Sequence, residues 1–227
     1  EAENQLAMLR TVTRMAASPR RVEDVPVALQ AVIADIQSGR PQPGAIEIPV
    51  NLQYESADFE PFVPVRPSRG QVHAADIDRA IKLIGESRKR VIIAGGGVVR
   101  ARAGEALTRF AESLNAPVFT STNGRGAVAE DHPLAMGPGL MASREAIAGA
   151  DLVIAIGTRF QGGATGNFSW SMPGALLHID ADPHMLGLNY APDLGICADA
   201  ADALNVLMAG INAEPGDQAF LHEVSES

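Results

Sequence analysis

The sequence has little of several features that would assign it to common classes of protein. Cys197 is the only cysteine, so no disulfide can form within the chain, and a reducing, cytoplasmic location is predicted. Aromatic residues make up only 4% of the chain, and 27 acidic side chains outnumber 18 basic ones. A nucleic-acid-binding surface is therefore not expected. The expected partners are small molecules or other protein chains.

Membrane spans and metal sites are also not expected. No apolar run approaches the roughly 18 residues that a membrane span needs, and the five histidines lack paired metal-ligand spacing. His178, Asp180 and Asp182 alternate along one predicted strand, which leaves a metal site as an alternative. Asp182 precedes a proline and a predicted helix, so helix capping accounts for this aspartate without a metal. We therefore predict no metal ligand and no membrane association.

The first part of the chain, residues 1–53, carries too little structure to stand alone. A helical apolar pattern follows Asp24, which is predicted to cap the helix, and a short strand is predicted over residues 45–49. One helix and one strand cannot bury themselves, so this part is expected to be the end of a larger domain. Residues 54–70 are rich in proline and are predicted to form an extended linker.

Strands and helices alternate through residues 71–212. The predicted strands cover residues 90–94, 117–120, 151–156, 175–179 and 194–197, and the predicted helices cover residues 74–87, 101–115, 143–149, 183–189 and 200–211. This alternation predicts an α/β fold with a doubly wound parallel sheet. Residues 213–227 are predicted to begin another linker.

Glycine and polar residues follow four of these strands, where ligands bind in such sheets. The candidates are Gly95, Gly96, Gly97, Ser121, Thr122, Gly157, Thr158, Arg159 and Asp180. Glycines would admit a phosphate, hydroxyls would bind polar edges, Arg159 would neutralise a diphosphate, and Asp180 would accept hydrogen bonds from ribose or adenine. The pattern predicts a nucleotide site without a nucleophile. The alternative is that these residues only shape the turns between strands and helices.

An ordinary NAD dehydrogenase is disfavoured. The dinucleotide fingerprint needs a glycine three residues after the second one, but Val98, Val99 and Arg100 follow Gly97. The next strand is followed by Ser121 rather than by the acidic residue that would bind a ribose of NAD.

The order of motifs resembles thiamine-diphosphate-dependent enzymes of the acetolactate synthase type. The matching segments are Gly39-Arg40-Pro41, Ile48-Pro49, Ile92 to Gly97, Gly124-Arg125-Gly126, Asp131-His132-Pro133, Gly157-Thr158-Arg159-Phe160, Thr165-Gly166-Asn167, His178 to Pro183 and Ala198-Asp199. Each segment is short, but together they follow the family order across nearly all of residues 20–210. Three positions depart from it: Gln161 and Gly162 stand where acetolactate synthases typically have two aspartates, and Arg100 replaces a residue that is often polar and neutral.

The resemblance implies a Rossmann-like domain with a six-stranded sheet, which holds FAD in acetolactate synthases, a nucleotide in some relatives and no ligand in others. The implied FAD contacts add Arg40 and Asp199 to the nine strand-end candidates. It also implies that residues 1–53 end a pyrimidine-binding domain and that residues 71–212 form the central domain. Residues 213–227 would then lead to a diphosphate-binding domain.

The implied enzyme decarboxylates a 2-oxo acid and transfers or releases the carbanion product. Thiamine diphosphate and Mg²⁺ would bind outside this chain, which lacks the family's catalytic glutamate and its Gly-Asp-Gly metal motif. We therefore expect no catalytic residue here, no activity from these 227 residues alone, and a homodimer or homotetramer in the full-length enzyme.

Two other functions are weighed against this one. A stand-alone flavin or nucleotide carrier, such as an electron-transfer flavoprotein module, has little reason to carry the extra helix and strand of residues 1–53. A deacylase with a related sheet often needs a cysteine zinc site, which one cysteine cannot provide.

Overall fold

The computed structural model describes residues 4–59, 72–138 and 140–226, without the side chains of residues 140–142. The chain divides into two compact units, Glu1–Arg69 and Gly70–Ser227. Most of the predicted linker, from residue 60 onward, lies outside the described residues. No helix within the described residues is long and apolar enough to cross a membrane.

The described part of the N-terminal unit contains two helices and two short parallel strands, one helix and one strand more than predicted. Its elements are α1 (Gln5–Val12), β1 (Met15–Ala17), α2 (Val25–Gln37) and β2 (Gly44–Ile46), with 3₁₀ turns at Val22–Asp24 and Val50–Tyr54. The predicted cap on α2 is wrong: Asp24 has helical backbone angles and its side chain forms no capping hydrogen bond. Pro26 lies in the first turn of the helix, where its missing N–H costs nothing.

Few apolar side chains of this unit are buried. Val32 and Leu52 are buried, whereas nine large apolar side chains are exposed: Met8, Val12, Val27, Leu29, Ile33, Ile48, Val50, Tyr54 and Phe59. A two-stranded sheet with so small a core is marginal on its own. That these residues end a larger domain stays a prediction, and this exposure is consistent with it.

The C-terminal unit is built on a six-stranded parallel sheet, which confirms the predicted fold class. Its strands are β3 (Arg90–Ala94), β4 (Val118–Thr120), β5 (Ala135–Gly137), β6 (Leu152–Ile156), β7 (Ala175–Asp180) and β8 (Leu194–Cys197). Their order across the sheet is β5-β4-β3-β6-β7-β8, with every pair parallel. The direction of winding therefore reverses between β3 and β6, at the topological switch point where such folds bind ligands.

Helices cover both faces of this sheet. They are α3 (Ala74–Glu86), α4 (Gly96–Arg100), α5 (Gly104–Leu114), α6 (Leu140–Gly149), α7 (Ala200–Gly210) and α8 (Gln218–Glu226). One core cluster joins Ile92 of β3 to Phe110 of α5 and Leu204 of α7. The other joins Val91 to Ile147 of α6 and Phe220 of α8. Because both faces are packed, β3 and β6 are fully buried along their length.

Within the C-terminal unit, the structure differs from the sequence prediction in four places. Strand β5 was not predicted, because Ala135–Gly137 contains no β-branched residue. The helix predicted over residues 101–115 begins only at Gly104, as α5, and a short helix that was not predicted, α4, precedes it. The helix predicted at 183–189 is only a 3₁₀ turn over Pro183–Met185.

The fourth difference concerns the predicted linker over residues 213–227. Helix α8 occupies most of it, and its Phe220 and Val224 are buried in the core. Gly149 of α6 makes room for this contact, since a Cβ there would lie 3.2 Å from the Phe220 ring. Residues 218–226 therefore belong to the compact unit.

A buried arginine joins the amino end of the sheet to the segments around it. Arg90 is 1% exposed. Its guanidinium donates to the Ser87 hydroxyl and to the carbonyl oxygens of Ile84, Ser87, Leu114 and Glu214 at 2.6–3.4 Å. The carbonyls of Ile84 and Ser87 lie at the end of α3, that of Leu114 at the end of α5, and that of Glu214 in the segment before α8. One side chain therefore connects three separate parts of the chain. A charge is tolerated here because its N–H groups are bonded.

We expect Arg90→Met to lower the free energy of unfolding by about 3 kcal/mol, because several buried carbonyl oxygens lose their donor together. Urea denaturation of both proteins measures the change. The control is Arg109→Met, which removes an exposed ion pair with Glu105 and is expected to cost at most about 0.5 kcal/mol. Equal losses in the two variants would contradict a bridging role for Arg90.

Candidate functional site

The predicted strand-end residues lie along one edge of the sheet. Ala94 of β3 pairs with Thr120 of β4 and with Ile156 of β6, and Ile156 pairs with Ile179 of β7. The next residues along these strands are Ser121, Gly95, Gly157 and Asp180. The structure therefore brings these four predicted residues together at the carboxyl edge, in the order in which the strands are arranged.

At the switch point, the turns after β3 and β6 are in direct backbone contact. Gly95 N–H donates to the Ile156 carbonyl oxygen at 2.8 Å, and Gly97 N–H donates to the Gly157 carbonyl oxygen at 3.0 Å. A Cβ on Gly95 would lie 2.1 Å from the Gly157 oxygen, and a Cβ on Gly97 would lie 2.5 Å from the Gly157 Cα. Gly157 itself has a φ of 59°, which favours glycine. The protein's own packing thus requires these glycines.

This contact bears on the predicted phosphate site. Two of the three N–H groups of the glycine run point away from any ligand, since those of Gly95 and Gly97 bond to the neighbouring strand and turn. Helix α4 has five residues, too few for a substantial dipole. Gly96 is also crowded, because a Cβ there would lie 3.0 Å from the Asn123 Cβ. The glycine turn does not fit a diphosphate held by backbone N–H groups.

The segment after β6 is fixed by two side chains that the sequence analysis did not assign to the site. His178 Nε2–H donates to the Thr158 carbonyl oxygen at 2.8 Å. Asn189 Nδ2 donates to the carbonyl oxygens of Arg159 at 2.6 Å and of Phe160 at 3.2 Å. Phe160 has a φ of 51°, a conformation rare for a bulky residue, and these hydrogen bonds stabilise it.

The surroundings of His178 favour its neutral form. The side chain is 1% exposed, and burial lowers its pKa, opposed by the bond to Thr158 and by the charge of Asp180. Since the Thr158 carbonyl can only accept, Nε2 carries the proton, and the buried Nδ1 has no hydrogen-bond partner.

The side chains of the predicted acidic residues accept hydrogen bonds from backbone N–H groups in turns and at helix starts. Asp180 Oδ1 accepts from Asp182 N–H at 2.9 Å, and burial raises the pKa of Asp180, opposed by that hydrogen bond. Asp182 caps the 3₁₀ turn through His184 N–H, as predicted, and Asp199 caps α7 through Ala201 N–H. Within the described part of the chain, no group of three or more His, Cys, Asp or Glu residues could hold a metal ion.

A cleft opens beside the switch point, at the carboxyl ends of β3, β4 and β6; we call it the sheet-edge cleft. Its apolar walls are formed by Ile93, Phe119, Pro138, Phe160, Ala164 and Trp170, and its polar lining by Thr120, Ser121, Thr122, Ser143, Thr158, Gly163 and Thr165. Its empty space is about 560 Å³, including the part that is open to solvent. None of the described residues that line it carries a charge.

Ser121, Thr122 and Thr158 are the predicted site residues that line this cleft. The glycines support it from the adjoining turns, whereas Arg159 is not among its lining residues. Arg40 lies in the N-terminal unit, where its carbonyl accepts from Arg14 Nη1 at 3.0 Å, so its part in the site stays a prediction.

The aromatic walls were missed by the sequence analysis. Phe160, Trp170 and Tyr190 pack edge to face, with Phe160 in the centre at 6.4 Å from Trp170 and 5.1 Å from Tyr190. In so aromatic-poor a chain, four aromatic residues within the 31 positions from Phe160 to Tyr190 were the signal that could have found them.

The strand order and the cleft at its reversal define a doubly wound, Rossmann-like domain. Residues 77–207 match the family described as "Thiamine pyrophosphate enzyme, central domain", where thiamine pyrophosphate is another name for thiamine diphosphate. The chain therefore belongs to the thiamine pyrophosphate enzyme family, as the motif order indicated.

Relatives and a solved structure agree with this assignment. The chain is 35% identical over 220 residues to the "Probable acetolactate synthase large subunit" of Methanocaldococcus jannaschii, covering 92% of this chain and 37% of that protein. It is 32% identical over 210 residues to the glyoxylate carboligase of Escherichia coli O157:H7, covering 89% and 35%.

The X-ray structure of a protein described as a thiamin diphosphate-dependent enzyme from Mycobacterium smegmatis superposes with a TM-score of 0.76 at 26% identity, covering 91% of this chain and 41% of that one. The chain spans between a third and two fifths of the length of these two relatives and about two fifths of the solved chain.

We expect Gly97→Ala to destabilise the protein by more than about 2 kcal/mol, because the added Cβ meets backbone atoms that cannot move aside. Gly85→Ala is the matched control. Gly85 lies exposed in α3 with no atom within 4 Å of a Cβ, so there the same change should raise stability by up to about 1 kcal/mol. Thermal and urea unfolding would show the opposite signs, and a stabilised Gly97→Ala would contradict the backbone contact.

We expect His178 to make stability depend on pH. Because its pKa is lowered in the folded protein, the unfolded chain binds the proton more readily, and stability falls as pH drops below about 7. In His178→Gln, whose amide can still donate to Thr158, this part of the decline should disappear. The exposed His222→Gln serves as the control, and the measurement is urea unfolding across pH 5–8. Identical pH profiles in wild type and His178→Gln would refute the assignment.

Proposed function

We propose that this chain is part of a thiamine-diphosphate-dependent enzyme that decarboxylates a 2-oxo acid and transfers or releases the resulting carbanion equivalent, as acetolactate synthases do. The match of residues 77–207 to the family's central domain is the observation that carries the proposal. The named relatives, an acetolactate synthase subunit and a carboligase, support the transfer of the product to an acceptor.

In this proposal the C-terminal unit supplies a scaffold and not the reacting groups. The buried histidine at the sheet edge is committed to a backbone carbonyl, and the aspartates there cap turns and a helix. Thiamine diphosphate and Mg²⁺ would be held by parts of the enzyme outside these residues. No step of the reaction is assigned to a side chain of this chain.

The domain assignment follows from the same resemblance. We propose that residues 1–53 end a pyrimidine-binding domain, that residues 54–70 link it to the central domain, and that a diphosphate-binding domain follows α8. The many exposed apolar side chains of the N-terminal unit support the first of these points, since further parts of a domain would cover them. The division of the chain between residues 69 and 70 supports the second.

A homodimer or homotetramer, a cytoplasmic location and an FAD or other nucleotide in the central domain complete the proposal. The aromatic residues of the sheet-edge cleft are consistent with an aromatic ligand, whereas the glycine turn has few free N–H groups to bind a diphosphate. Neither the family match nor the relatives favour a stand-alone flavin carrier.

The test is turnover by the full-length protein. With thiamine diphosphate, Mg²⁺ and pyruvate or glyoxylate, it should release CO₂ and form a carboligation product or the aldehyde, and omitting thiamine diphosphate should abolish both. The 227-residue chain should be inactive under the same conditions. Visible flavin absorbance of the purified full-length protein tests the FAD assignment separately. Turnover that persists without thiamine diphosphate would overturn the proposal.

A further inference from the structure

The sequence contains one asparagine that is followed directly by glycine. Asn123-Gly124 comes just after β4, in a 3₁₀ turn over Thr122–Gly124. An asparagine deamidates when the peptide nitrogen of the next residue attacks its side-chain carbonyl carbon, and glycine favours this attack because it has no side chain in the way. All other asparagines of the sequence precede residues that carry a Cβ. Asn123 is therefore the asparagine with the highest intrinsic reactivity in this chain.

Deamidation is a cyclisation followed by a hydrolysis. The Gly124 nitrogen loses its proton and forms a bond to Asn123 Cγ, the Cγ–Nδ2 bond breaks, and the amide nitrogen leaves as ammonia after taking up a proton. The resulting succinimide ring takes up one water molecule and opens at either of its two carbonyl groups. One opening gives aspartate, and the other gives isoaspartate, in which the main chain runs through the former side chain. Both products carry a negative charge that asparagine lacks.

The fold withholds the nitrogen that must attack. Gly124 N–H donates to the Ser121 carbonyl oxygen at 2.8 Å, and Gly124 is buried although Asn123 is exposed. Before it can react, the nitrogen must give up this hydrogen bond and its proton, and burial keeps away the solvent that removes the proton. The side chain of Asn123 is thus accessible, whereas the nitrogen that would attack it is not.

Backbone of the neighbouring strand end holds this turn in place. Ser121 N–H donates to the Ala94 carbonyl oxygen at 2.9 Å, and a Cβ on Gly124 would collide with the same oxygen. On the side of α4, a Cβ on Gly96 would lie 3.0 Å from Asn123 Cβ. Because no space is left around the turn, the Gly124 nitrogen becomes free only when the turn opens away from β3.

We propose that Asn123 is a deamidation site that the 3₁₀ turn protects, and that it converts to aspartate or isoaspartate only when this turn opens. Isoaspartate adds one atom to the main chain at a place where backbone already packs against backbone. A chain converted in this way does not close the turn again, so the modification keeps the end of β4 open. The inference goes beyond the proposed function and does not depend on it.

The test compares the conversion of Asn123 with hydrogen exchange of the Gly124 amide, because both reactions begin when the freed nitrogen loses its proton. The protein is incubated at about pH 8, native and in guanidinium chloride, and mass spectrometry follows the gain of about 1 Da in the tryptic peptide of residues 110–125. Native conversion should be slower by at least about tenfold. The ratio of the two rates should match the protection factor of the Gly124 amide, measured in ¹H–¹⁵N spectra, within a factor of about three.

Two controls assign the reaction to this residue. Asn115 lies in the same tryptic peptide and precedes alanine, so fragmentation of the peptide should find it intact while Asn123 is converted. In Asn123→Gln the longer side chain disfavours ring closure, and the mass gain should disappear even in denaturant. Native conversion as fast as that of the unfolded chain, or faster than exchange of the Gly124 amide allows, would overturn the proposal. So would a mass gain that persists in Asn123→Gln.

A matched pair of variants tests the contact that keeps the turn closed. In Gly96→Ala the added Cβ meets Asn123 Cβ at 3.0 Å, so conversion of Asn123 and exchange of the Gly124 amide should both become about threefold faster or more. Gly85→Ala, which has no atom within 4 Å of its Cβ, should leave both rates unchanged. Faster exchange without faster conversion in Gly96→Ala would contradict the proposal. If this variant does not fold, the comparison in the wild type decides alone.

Discussion

The carboxyl edge of the sheet depends on the backbone contact between the turns that follow β3 and β6. Gly95 and Gly97 approach Gly157 so closely that no side-chain atom fits between them. The contact fixes the two central strands at the point where the winding reverses, which is also where the fold offers its ligand crevice. Backbone atoms of these two turns occupy the crevice. The open space is therefore the sheet-edge cleft beside it, whose lining includes aromatic residues that follow β6.

Two further constraints shape that space. His178 and Asn189 bind the carbonyl oxygens of residues 158–160, and these hydrogen bonds stabilise the positive φ of Phe160, which forms part of the wall. The cleft combines aromatic walls with the polar residues Thr120, Ser121 and Thr122 at the end of β4.

The sequence allowed the architecture to be predicted because the buried runs of β3 and β6 are apolar on both faces and alternate with helices. It also located the strand ends, since Gly95, Ser121, Gly157 and Asp180 follow these runs directly. It could not assign the purpose of the glycines, because a glycine that admits a ligand and one that admits a neighbouring backbone look alike in one dimension. Strand β5 and helix α8 were missed because tertiary packing, rather than local propensity, stabilises them.

The hydrogen bonds of residues 214–217 link the unfolding of α8 to that of the sheet. Arg90 binds the Glu214 carbonyl, and Gly216 and Asp217 donate to the carbonyl oxygens of Leu114 and Arg88, so the segment is tied to the sheet and to α5 just before the helix begins. A helix without such ties could open independently of the core. We therefore expect the amide protons of α8 to exchange in the same cooperative event that opens the central strands.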